Sequence, residues 1–573
     1  LIVLGINGYS AKYPTKGITH NSGAAIVRDG KLIAAVDEER VSRIKNDKDY
    51  PFGAIEAVLE IAGLQPTDID HVALAQESRR HFKTAMRQNY DYALAHNPRP
   101  EFRHFLTSRK RDLIIRNIVE SFRPRTVPDA LSHLPRSEVN HHAAHAAGAY
   151  YTQPWPDERT LVITVDGFGD GECGSVWIGE GGRIERKGSI PFMHSIGLLY
   201  TSFTYHLGFK PLQHEGKIVG LASFGDGSKL VERLLAHMNM GDWDNLFDAD
   251  LMQLSFCALR EGADTIYKEL TEGLTREEIA AGIQEITEMV VTRFVADQVA
   301  QFGCSHLSLA GGVFANVKLN QRILALDGVA NIYVYPNMGD GGLAAGAALV
   351  EHARLNPEHA APQFIDTCYL GQKISDAEAE AALKAANLDY SRPEHLAAEV
   401  ARLLADGAVV ARADGGMEYG PRALGNRTVM AACSDPEINK WLNDRFQRTE
   451  FMPFAPVILE EHTAEYFPEW TPAQVTARFM TITYDGSETA KKNIPAAIHV
   501  DGTARPQVIR RADNPGYYDI IEEYRRLTGV PSVINTSFNM HEEPIVCTAS
   551  DAVRAFLDAK LDALILGPFL VVK

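Results

Sequence analysis

Apolar residues along this chain follow two periods, and the points where the period changes mark its elements. The opening LIVLGING is a short apolar run ending in a glycine turn, and SGAAIVRDGKLIAAVDEER holds two further apolar runs. Between those two, Arg28-Asp29-Gly30-Lys31 supplies a hairpin turn, Asp-Gly being the strongest short-range signal for one. Three strands are therefore predicted, then a helix from about Phe52 to Ala62. The same order returns in RTLVITVDGFGDGECGSVWIGEGGRIERKGSI, as apolar strand, glycine-rich turn, second strand, Gly-Gly turn and third strand. Two copies of one strand-hairpin-strand pattern predict a duplicated α/β unit. In such a unit the two first turns face each other across a cleft and cradle nucleotide phosphates.

Residues 260 to 301 are helical in composition. SLAGGVFANVKLNQRIL then predicts a strand, a turn at Gly311-Gly312 and a helix. In NIYVYPNMGDGGLAAGAALVEHARL, Asp340 falls where a strand hands over to a helix, a position of ligand-binding loops in α/β folds and equally of helix N-caps. Over residues 353 to 368, ARLNPEHAAPQFIDTC, two prolines and a lost period predict an interdomain linker. Two domains are thus expected, 1–352 and 369–573, as 573 residues exceed what one core supports. The second domain opens with a helix near Ala377 to Ala386. It continues with the strand AVVARA, the loop DGGMEYGPRALGNR, and the stretches HVDGTARPQV and VPSVINTSFNMHEEPIV.

Composition narrows the function. With 45% apolar and 23% charged residues the chain is an ordinary globular protein, and its formal charge of −17 argues against a broad nucleic-acid face. Six cysteines, Cys173, Cys257, Cys304, Cys368, Cys433 and Cys547, form no C-x-x-C pair, which excludes a zinc ribbon and suits a reducing cytoplasm. No apolar run reaches the length of a membrane span, and the first residues are too short and uncharged for a signal peptide. The expectation is a soluble cytoplasmic protein with no membrane or nucleic-acid partner; monomer and homodimer both fit.

NHHAAHAAGAYY carries the first candidate chemistry. His141 and His145 are four apart, so on a helix both imidazoles project from one face and can grip one divalent metal; surface or satisfied core histidines show the same spacing. Ala143 and Ala144 leave no H-E-x-x-H glutamate, which disfavours peptide hydrolysis. His142, about 100° round the helix, faces a ligand or a neighbouring element. The second candidate is Gly420-Pro421-Arg422-Ala423-Leu424-Gly425-Asn426-Arg427, which follows a strand. Two guanidiniums beside backbone amides suit a phosphate or carboxylate, although surface arginines at a turn look alike. Arg505 and the run Asn535-Thr536-Ser537-Phe538-Asn539, each at the end of an apparent strand, favour the anion pocket.

HNSGAAIVRDGKLIAAVDEERVSRIK, NHHAAHAAGAYY, VDGFGDGE, GKIVGLASFG, AGGVFANVKLN, GPRALGNR, FMPFAP and NTSFNMHEEPIV together resemble, in order and over essentially the whole chain, the O-carbamoyltransferases of antibiotic and nodulation-factor biosynthesis. The resemblance implies an N-terminal domain similar to Kae1-like members of the actin-like ATPase fold and a YrdC-like α/β C-terminal domain. It implies that the latter makes carbamoyl adenylate from ATP and carbamoyl phosphate, with Mg2+ accompanying ATP, releasing pyrophosphate and phosphate. The carbamoyl group then passes to the N-terminal domain and onto a hydroxyl of a small acceptor. By motif, His141, His145, Asp166 and Asp340 would hold a metal, iron (Fe2+) in the family, and Arg422, Arg505 and Ser537, with Asn535 beside them, would hold the adenylate. His20 and Asp166 are the candidate bases for the acceptor hydroxyl. VDGFGDGE is read as a second phosphate loop over the tight-hairpin alternative. Lys217, Gly311, Gly312 and Asn316 would line the nucleotide or acceptor cleft.

Relatives carry a lysine and an arginine near the P-F-A-P block, whereas RFQRTEFMPFAP has Gln447 near the lysine position and Met452 before the proline. Arg445 and Arg448 are the available cations, and Arg448 is the expected replacement. Hydrogenase-maturation carbamoyltransferases share both chemistries but add an acylphosphatase module and C-x-x-C zinc pairs, with the domains reversed, and none of these is present. Two other readings compete: a small-molecule kinase on the actin-like fold, and a silent nucleotide-binding protein. The first leaves the domain after residue 369 without a purpose, and the second leaves the metal constellation without one. Acceptor choice is expected to lie in variable loops such as 85–135 and 225–275.

Overall fold

The computed structural model describes residues 1–8, 21–75, 95, 129–256, 264–446 and 454–573. His20, Gln447, Arg448, Met452 and most of the 85–135 loop lie outside the described residues. The chain gathers into two compact units: Leu1–Ile33 with Lys48–Ile55 and Gly63–Phe364, and Ala34–Asp47 with Glu56–Ala62 and Ile365–Lys573. The second unit therefore takes up two N-terminal segments, which the expected contiguous domain 369–573 did not include. The expected linker also begins as regular structure. A helix spans Leu343–Leu355 and a 3-10 turn spans Pro357–His359, because LAAGAALVEHARL keeps a helical period past Val350.

In the first unit, β1 (Ile2–Asn7) is antiparallel to β2 (Gly23–Arg28) and parallel to β4 (His71–Leu74), in a sheet completed by β3 (Lys31–Asp37) and β5 (Arg136–Glu138). Its order is β3-β2-β1-β4-β5. The second sheet has β6 (Thr160–Gly169) antiparallel to β7 (Glu172–Glu180) and parallel to β9 (His306–Ala310), with β8 (Arg183–Pro191) and β10 (Asn331–Val334) at its edges. Its order, β8-β7-β6-β9-β10, repeats the first. This is the duplicated α/β arrangement that the sequence pattern implies. The Asp29-Gly30 turn has φ of 50° and 80°, the left-handed pair that a two-residue hairpin requires.

Small residues bring three backbones of this unit together. A Cβ on Gly5 of β1 would stand 1.9 Å from the Ala344 carbonyl oxygen, and one on Gly346 would stand 1.9 Å from that of Ala144. The helix Leu343–Leu355 thus lies directly on β1 on one side and on the helix His141–Tyr151 on the other. No larger residue fits at either crossing without shifting backbone. Every described cysteine is buried and free. Among the described residues no helix is long and apolar enough to cross a membrane.

The second unit is built on β11 (Val410–Ala413), β12 (Arg427–Ala431), β13 (Ala455–Leu459), β16 (Gln507–Ile509), β17 (Ser532–Ser537), β18 (Ala563–Leu566) and β19 (Phe569–Val572), with β14 (Tyr484–Asp485) and β15 (Thr503–Ala504) as a separate pair. Its sheet order is β16-β13-β17-β12-β11-β18-β19. The helices Leu396–Ala405 and Pro515–Thr528 cover it with Val400, Leu404, Ile520, Ile521 and Tyr524. Thr428 pairs with Ser537, Ala455 with Asn535, and Val457 with Gln507. That register gathers the end of β17 and the starts of β12, β13 and β16 at one end of the sheet, together with the loop 414–426 and Arg505.

Candidate functional site

Two centres emerge, one in each unit. In the first, Asn140 caps the histidine helix by accepting from the Ala143 amide at 3.0 Å, and Asp170 accepts from the His141 amide at 2.7 Å. With its N-terminus tied down, the helix directs both predicted imidazoles toward Asp166 on β6. His145 Nε2 lies 3.0 Å from Asp166 Oδ2, 3.1 Å from His141 Nε2 and 3.6 Å from Asp340 Oδ1. His141 Nε2 lies 3.4 Å from Asp166 Oδ2 and 3.7 Å from Asp340 Oδ1. All four donor atoms fall within 4.8 Å of one another. Bonds of about 2.0–2.2 Å to one metal would separate neighbouring donors by about 3.0–3.6 Å, so the set fits a single ion. Two imidazoles and two carboxylates suit a divalent transition metal.

The electrostatics follow from burial and mutual contact. Burial alone would lower the His145 pKa, but its hydrogen bonds to Asp166 and Asp340 outweigh that and raise it to about 9. Burial would likewise raise the Asp166 carboxyl, yet hydrogen bonds with His141 and His145 hold it well below the usual carboxylate range. His142 is different. Burial, then the charges of His141 and His145, keep it well below the ordinary histidine value, and its Nδ1 meets Thr164 Oγ1 at 2.8 Å. It faces a neighbouring strand.

The surroundings of the four donors assign several predicted residues. The expected phosphate loop VDGFGDGE is a bulged hairpin: β6 runs on to Gly169, its register with β7 breaks between Val165 and Gly169, and Asp170-Gly171 turn with φ of 51° and 92°. A Cβ on Gly311, at φ 101°, would meet the Val165 carbonyl at 2.2 Å, and one on Gly312 would stand 3.0 Å from Asp166 Oδ1. Both glycines border the four-donor centre. Asn316 caps the helix Val317–Leu324, accepting from the Leu319 amide, and its amide exchanges two hydrogen bonds with Gln284. Its side chain is held by these three scaffold bonds. Lys217 is buried in the helix Glu215–Ala222. Asn7, not foreseen from the sequence, donates to the Asp340 carbonyl at 2.9 Å and holds that carboxylate's backbone in place.

In the second unit, Arg422 and Arg505 are half-buried at the gathered strand ends. Among the described residues neither has a carboxylate partner, and both Nε atoms are buried without an acceptor. Lost hydration lowers Arg422 to about 10; Arg505 is lowered further, first by burial and then by the Arg422 charge. Guanidiniums remain protonated even so. Two neighbouring, poorly hydrated cations with no counter-charge among the described residues suit an anion. Ser537 pairs with Thr428 at the same end of the sheet.

The other arginine of the motif behaves differently. Arg427 is fully buried and donates to the carbonyls of Asp414, Gly415, Asn426, Gln372 and Cys547. It is scaffold, which corrects the expectation of two anion-facing arginines. Asn535 is scaffold too, binding Thr428, the Ala423 carbonyl and Gln507. The loop has an unforeseen organiser in Glu418: its buried Oε1 accepts from the amides of Leu424, Asn426 and Arg427 at 2.7, 2.8 and 3.1 Å. An acid two residues before the Gly-Pro-Arg turn was its only trace in the sequence. His20 and Arg448 lie outside the described residues.

Comparison with known proteins agrees with this organisation. Residues 14–349 match the family described as carbamoyltransferase N-terminus, and residues 401–573 match carbamoyltransferase C-terminus. The chain is 33% identical to protein sll1178 of Synechocystis sp., over 99% of its own length and 96% of that protein's. It is 32% identical to nodulation protein NolNO of Sinorhizobium fredii, over 100% and 83%. With nodulation protein NolO of Bradyrhizobium diazoefficiens it shares 34% identity over 76% and 79%. Among solved structures, component A of the (R)-2-hydroxyglutaryl-CoA dehydratase of Acidaminococcus fermentans aligns with a TM-score of 0.32 at 16% identity, over 61% of this chain and 97% of that one.

Proposed function

The chain belongs to the carbamoyltransferase family, and on that premise we propose that it is an ATP-dependent O-carbamoyltransferase acting on a small hydroxylated natural product. In this reading the second unit, as the YrdC-like part, makes carbamoyl adenylate from ATP and carbamoyl phosphate. The observation that carries it is the pair Arg422 and Arg505, close enough to repel and lacking a carboxylate among the described residues. A triphosphate approached by a second anion accumulates negative charge at the reacting phosphorus. Fixed guanidiniums meet that charge without reorganising, which lowers the barrier.

Transfer is assigned to the first unit. The acceptor oxygen bonds to the carbamoyl carbon, the bond from that carbon to the AMP phosphate oxygen breaks, AMP leaves, and the hydroxyl proton goes to a base. A divalent metal held by His141, His145, Asp166 and Asp340, iron in the family it resembles, supplies a Lewis acid when bound. Asp166 would have its carboxylate committed to that metal, so the base is assigned to His20. Carbamoyl adenylate is a mixed anhydride open to hydrolysis, which is why formation and transfer within one chain serve a physical purpose. Mixing the protein with ATP, Mg2+ and carbamoyl phosphate should release pyrophosphate. Release that does not depend on carbamoyl phosphate overturns the proposal.

A further inference from the structure

We infer that Arg40, some 380 residues upstream of the anion loop, is a positioning residue of the adenylate-forming site; the inference rests on the function proposed above. Arg40 belongs to the segment Ala34–Asp47, which gathers with Ile365–Lys573 rather than with the rest of the N-terminal chain. It sits on the short helix Glu38–Ser42 and is 2% exposed. Its Nη2 donates to the Gly420 carbonyl at 2.6 Å. Gly420 opens the Gly-Pro-Arg turn at φ 113°, a left-handed conformation that favours glycine, and Arg422 is two residues on.

Arg40 completes a set of buried side chains that pin this loop by its backbone. Glu418 takes three of its amides. Arg412 donates to the Gly425 carbonyl, Asn535 to that of Ala423, and Tyr369 and Gln507 to that of Leu424. These hold residues 423 to 427. Arg40 holds position 420, on the other side of Arg422, so the guanidinium that meets the anion hangs between two anchored points.

Arg40 has few partners for a buried guanidinium. Its Nε and Nη1 are buried without an acceptor, and Glu39, 3.7 Å from Nε, is shared with Lys45 and the Asn46 amide. Removing it would leave the buried Glu39 to Lys45 and the Asn46 amide, at a cost in stability that any activity comparison must be matched for. Its value lies in where it holds Gly420. Arg43, on the same segment, provides the contrast. It donates to the carbonyls of Pro544 and Ile545, pairs with Asp551 and reaches the Arg40 carbonyl at 3.4 Å, so it fastens the segment without a bond to Gly420.

The test uses the full chain as wild type, Arg40→Met, Arg40→Lys and Arg43→Met, each read for thermal midpoint and for carbamoyl-dependent pyrophosphate release at varied ATP. Arg40→Met should lose about 10²-fold in kcat/KM, the scale of a 1 Å misplacement of a reacting group, when assayed at a temperature where its own melt shows it fully folded. Arg43→Met should keep the wild-type kcat/KM, and Arg40→Lys should recover part of the loss because it can still reach one carbonyl. A wild-type rate in Arg40→Met, or an equal loss in Arg43→Met, overturns the inference. If Arg40→Met does not fold, Arg40→Lys decides, and a wild-type rate there overturns it. Wild-type protein that releases no carbamoyl-dependent pyrophosphate overturns the parent reading, an outcome distinct from selective loss.

Discussion

Replacing Gly169 by alanine should remove metal from the first unit without touching a ligand. A Cβ at that position would stand 2.2 Å from His141 Cδ2, 2.3 Å from its Cγ and 2.6 Å from its Nε2. Ordinary contact begins at 3.4 Å, so the ring must retreat by 3.4 − 2.2 = 1.2 Å. Metal-ligand distances tolerate about 0.2 Å. The helix cannot simply follow, because Asp170 holds the His141 amide and Asn140 caps the first turn. His141 is then lost as a ligand. Disturbing a ligand's outer partner alone lowers metal affinity about 10- to 100-fold, so loss of the ligand itself should reach about 10²-fold or more. Gly188→Ala is the control, since its Cβ would meet nothing within 4 Å. Both variants and wild type are loaded with Fe2+ without oxygen, and affinity is measured by competition with a chelator. If Gly169→Ala binds one ion per chain with wild-type affinity, the four-residue centre is wrong.

Two further expectations concern stability. Glu418→Ala strands three buried amides and should cost about 3–5 kcal/mol in chemical denaturation, while Glu418→Gln, which keeps a carbonyl oxygen in place, should cost about 1 kcal/mol; equal costs for the two would refute the role given to Oε1. In metal-free protein His145 is raised from 6.5 to about 9, so its contribution is complete below about pH 6.5 and is lost as pH climbs through 9. Asp166, lowered from 3.8, contributes above about pH 4 and loses that contribution as pH falls further. The thermal midpoint of chelator-treated protein should therefore decline from pH 6.5 to 9.5, with His145→Gln flattening the decline. A midpoint that rises over that range contradicts the assignment.

How far the sequence could be read depended on the range of each interaction. The i, i+4 spacing of His141 and His145 is local, so a helical period was enough to place both rings on one face. Asp166 reaches the centre from β6 and Asp340 from the 3-10 turn Asp340–Gly342 that follows β10, a convergence that no local pattern contains; only the resemblance suggested it. The strand order repeated in both sheets was legible because each copy follows the same hairpin grammar. Arg422 and Arg427 are five apart in one motif and looked equivalent. One has its Nε buried without an acceptor and the other grips five carbonyls, a difference set by how the chain folds back around Glu418. The gathering of Ala34–Asp47 with the C-terminal unit was invisible for the same reason: DEERVSR is a polar run whose local pattern is the same wherever it docks.

The division of labour between the two units has a decisive test in Arg422→Ala and His141→Ala, assayed in the same samples for carbamoyl-dependent pyrophosphate and for carbamoylated alcohol by mass spectrometry. Arg422→Ala should lose both products, because no adenylate forms. His141→Ala should release pyrophosphate at close to the wild-type rate and yield no carbamoylated alcohol. Equal loss of pyrophosphate in the two variants would contradict the account.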